Sequence, residues 1–387
     1  MITRPSPPQE SDFTSRLRSP AVAARVGTWL GVCFGIAFVT GLISHYAQNH
    51  SQPIPFPTSP SWGYRLTQGL HIVTGTASIP LLLVKLWTVF PKLFARPPRG
   101  MRKLAIEGLE RASIGVLVAA AIFQLASGLL NTAQWYPWSY SFRTTHYAMG
   151  WIAIGALVVH IAVKLPIIRG VWTNDVDDTT YDRPEATAPG AVSRRGLLRT
   201  TWVATGVAVI ATAGSTVPWL RSISFFSVRD GEGPQGVPIN KTAAAARITE
   251  DMVGADYRLT MVNGETQSSL TLDDLRAMTQ RTESLPIACV EGWSAGATWS
   301  GVRLRDLLDL VGAPPDSEVV VTSLQPSGPY RATLLQGNFS DDDRTLIATR
   351  LNGEVLVPDH GYPCRLIAPN RPGVLQTKWV TRIEVST

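Results

Sequence analysis

Residues 144–163 have the sequence TTHYAMGWIAIGALVVHIAV, a run of twenty positions without an acidic residue, a lysine or an arginine. An α-helix needs about 20 apolar residues to cross the hydrocarbon core of a bilayer. A helix of a soluble protein rarely stays uncharged over such a length, because one side of it normally faces water. The run therefore predicts a transmembrane helix.

Four further stretches share this character and are uncharged within their limits. They are Val26–Ser44, Leu66–Val84, Ala112–Leu130 and Thr200–Leu220. The chain has 387 residues, of which 45% are hydrophobic and only 17% charged, which argues against a disordered protein and against a single soluble domain. We therefore predict that the N-terminal part is an all-α transmembrane helical bundle of five spans in contact with membrane lipid.

The two parts of the chain differ in charge. Residues 1–225 contain 20 Lys and Arg against 9 Asp and Glu, whereas residues 226–387 contain 15 against 20. The basic residues lie at the ends of the apolar runs without interleaved aromatic residues, so they favour membrane topology over nucleic-acid binding. Positive charge before the first span, and between the second and third at Lys92 and Arg96, predicts that both segments are cytoplasmic. Because the chain starts in the cytoplasm and crosses the membrane five times, the C-terminal part is predicted to lie outside the cytoplasm.

This topology predicts six segments along the chain. They are a cytoplasmic tail at 1–25, a four-helix membrane domain at 26–170, a cytoplasmic linker at 171–199, a fifth transmembrane helix at 200–220, a tether at 221–235 and an extracytoplasmic domain at 236–387.

The approach to the fifth span contains Ser193-Arg194-Arg195-Gly196-Leu197-Leu198-Arg199, followed by small apolar residues. This segment resembles a twin-arginine export signal placed inside the chain. Such a signal exports domains that have already folded around a cofactor, so it predicts a cofactor in the outer domain. The alternative is that two arginines flank the cytoplasmic end of a helix, and the sequence leaves both open.

Four of the six histidines lie within or beside the predicted spans: His45, His71, His146 and His160. Placing an ionisable residue within the hydrocarbon core costs free energy, so its presence there indicates a function. His71 and His146 each enter their span from the outer side, so we predict that they lie at similar depth and bind the iron of one b-type haem. His146 and His160 lie on one face of a helix and about 21 Å apart, an arrangement that suits two stacked haems.

The sequence leaves the second haem open, because His160 has no obvious histidine partner at its own depth. His45, at the outer end of the first span, could bind haem iron, flank a haem propionate or contact a quinone. The spans and histidines together resemble the membrane cytochrome b subunits of respiratory oxidoreductases, over roughly residues 20–170. The resemblance implies one or two b-type haems and electron exchange with quinone or quinol.

The C-terminal part mixes signals for strands and short helices, which predicts an α+β domain. Asn263-Gly264 and Asn352-Gly353 are typical of hairpin turns. Thr271 is predicted to cap a short helix. Leu285–Val290 is predicted to be a buried strand, and Val302–Val311 an amphipathic helix.

One segment of this domain indicates chemistry. It is Cys289-Val290-Glu291-Gly292-Trp293-Ser294, followed by Trp299-Ser300-Gly301-Val302, by His360-Gly361-Tyr362-Pro363-Cys364-Arg365 and by Lys378-Trp379-Val380. In this order the pieces resemble the molybdopterin-binding domain of the sulfite-oxidase superfamily. The resemblance implies that Cys289 is the catalytic thiolate bound to molybdenum. A soft thiolate suits a metal that changes oxidation state, whereas the alternative is a buried structural cysteine.

The same resemblance implies that His360, Arg365 and Lys378 bind the phosphate and ring edges of molybdopterin, with Asn240 in the same pocket. Each of these residues could instead be an ordinary surface residue. Two features depart from the family: Leu375 stands where many relatives carry a second basic residue, and no arginine-rich pocket follows the motif cysteine. The second departure weakens sulfite as a substrate.

The sequence therefore predicts a membrane-bound, molybdopterin-dependent oxidoreductase that transfers an oxygen atom and exchanges electrons with the quinone pool through haem b. A cytochrome fed by quinol suits an outward-facing reductase, so reduction of a small sulfoxide-like substrate is favoured. Two alternatives are a non-catalytic haem protein that carries or senses electrons, and a sulfite-type oxidase that runs in the opposite direction.

Overall fold

The computed structural model describes residues 8–49, 52–227 and 233–386. The chain divides into two compact units, the first formed by Met1–Val39 and His71–Thr212 and the second by Thr40–Leu70 and Ala213–Thr387. This division differs from the predicted one because residues 40–70 belong to the second unit. Part of the predicted tether, residues 228–232, and the start of the predicted tail lie outside the described residues.

Five long helices occur within the described residues. They are α1 Pro20–Ala47, α2 Gly63–Val89, α3 Met101–Thr132, α4 Phe142–Thr173 and α5 Arg194–Thr212. All five are long and apolar enough to cross a membrane by length and composition. In the most apolar window of α4, only 6% of the residues are buried inside the protein. An apolar helix that is so little covered by protein suits a lipid environment.

The fifth helix is displaced from its predicted limits of Thr200–Leu220. It begins at Arg194, where the Ser193 hydroxyl accepts a hydrogen bond from the Gly196 amide at 3.0 Å and caps the first turn. It ends at Thr212 and is followed by short 3-10 turns. Pro218 prevents a longer helix, because proline has no amide hydrogen and disfavours helical backbone in the residue before it.

The second unit contains the predicted α+β domain. Its strands are β1 Leu259–Asn263, β2 Thr266–Leu270, β3 Gln280–Ala288, β4 Ser294–Arg303, β5 Val319–Ser323, β6 Ala332–Leu335, β7 Leu346–Leu351, β8 Glu354–Val355, β9 Arg365–Ile367 and β10 Val380–Val385. Three short helices accompany them, α6 Leu272–Ala277, α7 Leu304–Asp309 and α8 Gly337–Ser340.

The strands form two sheets. One has the order β2-β1-β10-β5-β6, in which β1 and β10 are parallel and Met261 lies opposite Ile383. The other has the order β3-β4-β7-β8, and β9 also pairs with β7. The first sheet contributes fully buried residues such as Leu259, Val321 and Leu335 to one hydrophobic cluster. The second sheet packs a separate cluster around Trp299, and this cluster includes Cys289.

The local turn and cap predictions are confirmed. β1 and β2 are joined through Gly264, whose φ is +56°, and β7 and β8 through Asn352 and Gly353, whose φ values are +49° and +86°. Positive φ at both Asn352 and Gly353 is the requirement of a type I′ hairpin turn, whereas positive φ at Gly264 alone suits a type II′ turn. Thr271 accepts a hydrogen bond from the Asp274 amide at 3.0 Å and caps α6.

Two predicted elements are wrong in their limits. The helix predicted at Val302–Val311 covers only Leu304–Asp309, because Val302 belongs to β4. The strand predicted at Leu285–Val290 starts earlier and ends at Ala288. Strand β4 is hard to recognise in the sequence because Gly296 and Gly301 interrupt the alternation of apolar and polar side chains. A side chain at Gly301 would collide with the Ile347 carbonyl of β7.

Candidate active site

Cys289 lies directly after β3, at the start of the turn that leads into β4. Its amide donates to the Trp293 carbonyl at 2.9 Å, and its carbonyl accepts from the Gly292 amide at 3.1 Å. Gly292 has a φ of +87°, which an L side chain rarely adopts, so the tight turn favours glycine there. Cys289 is fully buried, in a cluster that includes Trp293 and Trp299. The turn therefore holds the thiol rigidly at the end of a strand.

Arg365, the first residue of β9, is buried although it carries a positive charge. Its Nη1 donates to the His360 carbonyl at 3.0 Å, and its guanidinium lies 4.9 Å from the centre of the Trp299 ring. Its Nε is buried and has no hydrogen-bond partner within the described residues. A buried polar atom without a hydrogen bond lowers the stability of the fold, unless a bound ligand supplies the missing partner.

Lys378 and His360 lie in the same region. Lys378 Nζ donates to the carbonyls of Asp359, at 3.0 Å, and of Lys241. His360 Nε2 lies 2.6 Å from the Pro234 carbonyl. Gly361, with a φ of +105°, allows the close approach, because a Cβ there would lie 3.0 Å from Lys378 Cβ and 3.2 Å from Arg365 Cβ.

Asn240 lies beside this cluster. Its Oδ1 accepts a hydrogen bond from the Lys241 amide at 2.9 Å, and the Lys241 carbonyl in turn accepts from Lys378. The structure therefore brings the four residues predicted to bind the pterin into one region of the second unit.

Burial perturbs the ionisation of the whole cluster. It lowers the pKa of Lys378 to about 7, with a further contribution from the charge of Arg365. It also lowers the pKa of Arg365 to about 9 and that of His360 to about 4. Cys289 and Trp299 belong to one hydrophobic cluster, and the Arg365 guanidinium lies against the Trp299 ring, so the thiol lies near the basic residues. A phosphate fits here, because it would pair with Arg365 Nε and offset the burial of basic groups.

Cys364 is a core residue. It is fully buried in the larger hydrophobic cluster, and its Sγ lies 3.1 Å from the Tyr257 hydroxyl. Burial raises the pKa of its thiol to about 12, so it remains protonated near neutral pH.

The first unit brings His71 of α2 and His146 of α4 together. Their ring centres are 6.3 Å apart and their planes differ by 66°. His71 Nδ1 lies 2.8 Å from the Ala37 carbonyl, and His146 Nδ1 lies 3.0 Å from the Ser127 hydroxyl. Two metal–nitrogen bonds of about 2.0 Å, plus about 1.1 Å from each nitrogen to its ring centre, give about 6.2 Å, which is close to the observed distance. His71 and His146 would therefore suit the two imidazole ligands of one haem iron, with the Nδ1 atom of each ring already engaged by the protein.

His160 and His45 are not part of this pair. His160 lies on the same helix as His146, α4, and is partly buried. Lys164 forms an ion pair with Glu110 of α3. His45 lies in the last turn of α1 and is partly buried. Haem ligation by either residue stays a prediction.

Arg371 was missed by the sequence reasoning. It is only 4% exposed, and it donates hydrogen bonds to the Leu375 carbonyl at 3.2 Å and to the Leu334 carbonyl at 2.7 Å. The sequence Asn370-Arg371-Pro372-Gly373 is typical of an exposed turn, so nothing local indicated a buried cation.

Residues 246–387 match the family described as the oxidoreductase molybdopterin binding domain. Mitochondrial sulfite oxidase of Drosophila melanogaster is 34% identical over an alignment of 156 residues, and the match covers 34% of this chain and 27% of that protein. Nitrate reductase [NADH] of Ulva prolifera is 35% identical over 109 residues, 24% of this chain and 13% of that protein. The chain thus covers about a quarter or less of these two relatives.

The solved structure of the sulfane dehydrogenase SoxCD from Paracoccus pantotrophus is also similar. It is 26% identical and covers 34% of this chain and 38% of that chain, with a TM-score of 0.31.

Proposed function

We propose, from the premise that residues 246–387 form a molybdopterin-binding oxidoreductase domain of the sulfite-oxidase type, that this protein is a membrane-bound molybdoenzyme. Its electrons come from quinol through haem b in the helices, and its outer domain reduces a small sulfoxide-like substrate. The five apolar helices and the basic flanks of the first span support a membrane location with the C-terminal domain outside the cytoplasm.

The observation that carries the proposal is the fully buried thiol of Cys289 near the buried basic cluster. Cys289 would supply the thiolate ligand to molybdenum. Arg365, Lys378, His360 and Asn240 would hold the phosphate and edges of the pterin. When bound, the molybdenum cofactor supplies two-electron oxygen-atom transfer. The surrounding protein excludes water and orients the thiol through the turn between β3 and β4.

The haem assignment rests on the distance between the rings of His71 and His146. A haem bound there would supply one-electron transfer between quinol and the outer domain. His160 and His45 are proposed as possible sites for a second haem or, for His45, a quinone. Because the chain carries its own electron donor domain, a reductase is favoured over an oxidase.

The proposed reaction balances. A sulfoxide takes up two electrons and two protons, its S=O bond breaks, and the products are a sulfide and water. Quinol supplies both electrons and is oxidised to quinone, with release of two protons. The substrate, the direction of electron flow and the quinone partner are all part of the proposal.

We expect Cys289→Ser to abolish molybdenum-dependent turnover and to leave the haem spectrum intact. The reason is that oxygen is a harder ligand than a thiolate sulfur, and that a serine hydroxyl is far less acidic than a cysteine thiol. The test is to purify both proteins from membranes and to measure molybdenum, the reduced-minus-oxidised haem spectrum and sulfoxide reduction. Cys33→Ser is the matched control and should keep all three. Wild-type protein with haem but no molybdenum would contradict the proposal.

A further inference from the structure

Residues 213–227, termed the flanking segment, follow α5 directly and belong to the second unit. Their backbone folds into short turns, in one of which the Ser224 amide donates to the Leu220 carbonyl at 3.0 Å. Gly214 packs closely against these turns, since a Cβ on it would collide with Ser224 Cβ and lie 3.1 Å from Arg221 Cα. The flanking segment is therefore an ordered element and not a loose connection.

The two faces of the flanking segment differ in burial. Thr216, Leu220 and Ser224 follow one another at intervals of four residues and are only 4%, 4% and 6% exposed. The large apolar side chains beside them are 54% to 78% exposed, and they are Trp219, Ile223, Phe225 and Phe226. A contiguous apolar face of this kind indicates contact with another protein or with a membrane.

The buried face of the flanking segment is bonded to the turn that carries Cys289. The Thr216 hydroxyl donates to the Gly292 carbonyl, and the Ser294 hydroxyl donates to the Thr216 carbonyl at 3.0 Å. Arg221 Nη2 donates to the Ser294 carbonyl at 2.5 Å. These three hydrogen bonds hold the turn between β3 and β4 from the side of the flanking segment.

The exposed face of the flanking segment is uncharged. Arg221 is the one charged residue among residues 213–227, all of which the structure describes, and its guanidinium is bonded to Ser294. The rest of the domain is rich in charge, with 15 Lys and Arg and 20 Asp and Glu in residues 226–387. An apolar face without charge is therefore an exception in this domain, and it suits lipid better than water.

The position of the flanking segment in the chain indicates its occupant. The fifth candidate span comprises 22 residues and ends at Ser215. At about 1.5 Å per residue its length is about 33 Å, which matches a hydrocarbon core of about 30 Å. A chain that leaves the core at Ser215 has Trp219 and Phe225 at the depth of the headgroups. Tryptophan is enriched at this depth, and interfacial segments bury an apolar face there.

We propose that the flanking segment inserts its exposed side chains into the interface of the extracytoplasmic leaflet and so anchors the turn of Cys289 to the membrane surface. The occupant of the apolar face is phospholipid, at the boundary between headgroups and acyl chains. This inference rests on the proposed membrane location of α5. It goes beyond the proposed function, because it adds a second attachment to the bilayer and makes Thr216 and Arg221 positioning residues of the candidate active site.

The first experiment attaches bimane, a fluorophore sensitive to its surroundings, to single introduced cysteines of the Cys33→Ser holoprotein in phosphatidylcholine nanodiscs. The test position is Phe225→Cys, and the matched control is Val355→Cys on β8, where the native side chain is 43% exposed. The Phe225→Cys label emits at shorter wavelength and is quenched by lipids brominated near the headgroup, but not by iodide in the water. The Val355→Cys label shows the reverse pattern. Trp219→Cys gives the lipid pattern at a second position.

Two outcomes of the labelling experiment would overturn the inference. One is equal quenching by iodide of the Phe225→Cys and Val355→Cys labels. The other is protection of the Phe225→Cys label from both quenchers, which is the result expected if a second copy of the chain or another protein covers this face.

A label in α5 separates this inference from the proposed function. The native Val207 side chain is 56% exposed on that helix. If iodide quenches the Val207→Cys label and brominated lipid does not, α5 does not cross the membrane, and the proposed membrane location fails together with the anchor. If brominated lipid quenches the Val207→Cys label while iodide quenches the Phe225→Cys label, the anchor alone is wrong.

The second experiment measures hydrogen exchange of the peptide 289–294 in the full-length protein in nanodiscs. Thr216→Val keeps the side-chain shape but removes the hydroxyl bonded to Gly292, so exchange of this peptide becomes about 2- to 10-fold faster. Thr216→Ser keeps the hydroxyl and restores the wild-type rate, which a merely structural role of the methyl group would not explain.

Arg221→Gln covers the case in which Thr216→Val does not fold, because it releases the Ser294 carbonyl and also accelerates exchange of the peptide 289–294. Arg350→Gln is its matched control, since Arg350 bonds to the Gly353 carbonyl in a different hairpin turn. It leaves exchange of the peptide 289–294 unchanged. Wild-type exchange of this peptide in both Thr216→Val and Arg221→Gln would overturn the positioning role.

Discussion

Lys378 shows how burial changes the behaviour of a single side chain. It is 9% exposed, and its ammonium lies 4.6 Å from the centre of the Trp379 ring. Its hydrogen bonds go to backbone carbonyls. Because burial disfavours the charged form, its pKa falls to about 7 from 10.5. The residue is therefore suited to bind a phosphate, whose negative charge would restore the ammonium form.

We expect the stability of the cofactor-free protein to rise with pH relative to that of Lys378→Met. From about pH 7 to about pH 10 the unfolded chain keeps Lys378 protonated while the folded chain does not, so the unfolded state binds more protons. The free energy of unfolding then increases by up to about 1.4 kcal/mol per pH unit. Thermal unfolding of both proteins over this range measures the difference, and parallel pH curves would contradict the shifted pKa.

Sequence reasoning reached some site residues and missed others for physical reasons. Cys289, Arg365 and Lys378 stand in ordered motifs, so their meeting in space could be expected. Arg371 stands in a turn-like segment, and its burial comes from Leu334 and Phe339, which are distant in the sequence. No local pattern reports such a contact.

At the scale of elements, α2 and α4 each contribute one histidine to the pair. A polar group of another helix forms a hydrogen bond to each ring and orients it. The Ala37 carbonyl of α1 and the Ser127 hydroxyl of α3 hold the Nδ1 atoms of His71 and His146. A hydrogen bond to Nδ1 fixes the ring and increases the basicity of Nε2. Four helices thus define one candidate haem site.

We expect Ser127→Ala to keep the haem but to bind it about 10- to 100-fold more weakly, with a more positive midpoint potential. Without the hydrogen bond, the His146 ring donates less electron density to the iron, which favours the ferrous state. Haem retention after dilution and a redox titration measure both effects. Ser113→Ala, which removes a hydroxyl bonded to the Glu110 carbonyl on the same helix, is the control. An unchanged potential would exclude this role of Ser127.

The limits of elements were less predictable than their presence. Four predicted spans lie inside the observed helices, because hydrophobicity over a full span is a strong local signal. The fifth was misplaced, because the cap at Ser193 sets its start and Pro218 excludes the predicted continuation to Leu220. Strand β4 was missed because Gly296 and Gly301 interrupt its pattern of apolar and polar side chains, and Gly301 serves close packing against β7.

At the scale of the whole molecule, the twin-arginine segment is folded into the first unit. Arg194 forms an ion pair with Asp182, and both side chains are nearly buried, at 6% and 8% exposure. Its Nη1 also donates to the Asp178 carbonyl at 2.9 Å. Arg195 pairs with the exposed Asp175 at 2.5 Å. The predicted linker is therefore an ordered acidic segment that pairs with both arginines.

We expect the double change Arg194→Lys and Arg195→Lys to leave the outer domain in the cytoplasm if the pair is read as an export signal. Asp182→Asn is the control, because it breaks the buried ion pair, at a cost of about 3–5 kcal/mol, and keeps both arginines. Protease accessibility in intact cells measures export. Loss of export in Asp182→Asn as well would indicate a structural role instead, and normal export of the lysine variant would exclude the signal.

By itself the sequence determined the five apolar helices, the hairpin turns and the α+β character of the C-terminal domain. These features depend on residues close together in the chain, whose hydrophobicity and backbone preferences act locally. Only the tertiary structure decided that the His71 and His146 rings lie 6.3 Å apart, that Arg365 Nε is buried with no hydrogen-bond partner among the described residues, and that Arg371 is buried against Leu334 and Phe339. Distances and burial of this kind arise from packing between segments far apart in the chain.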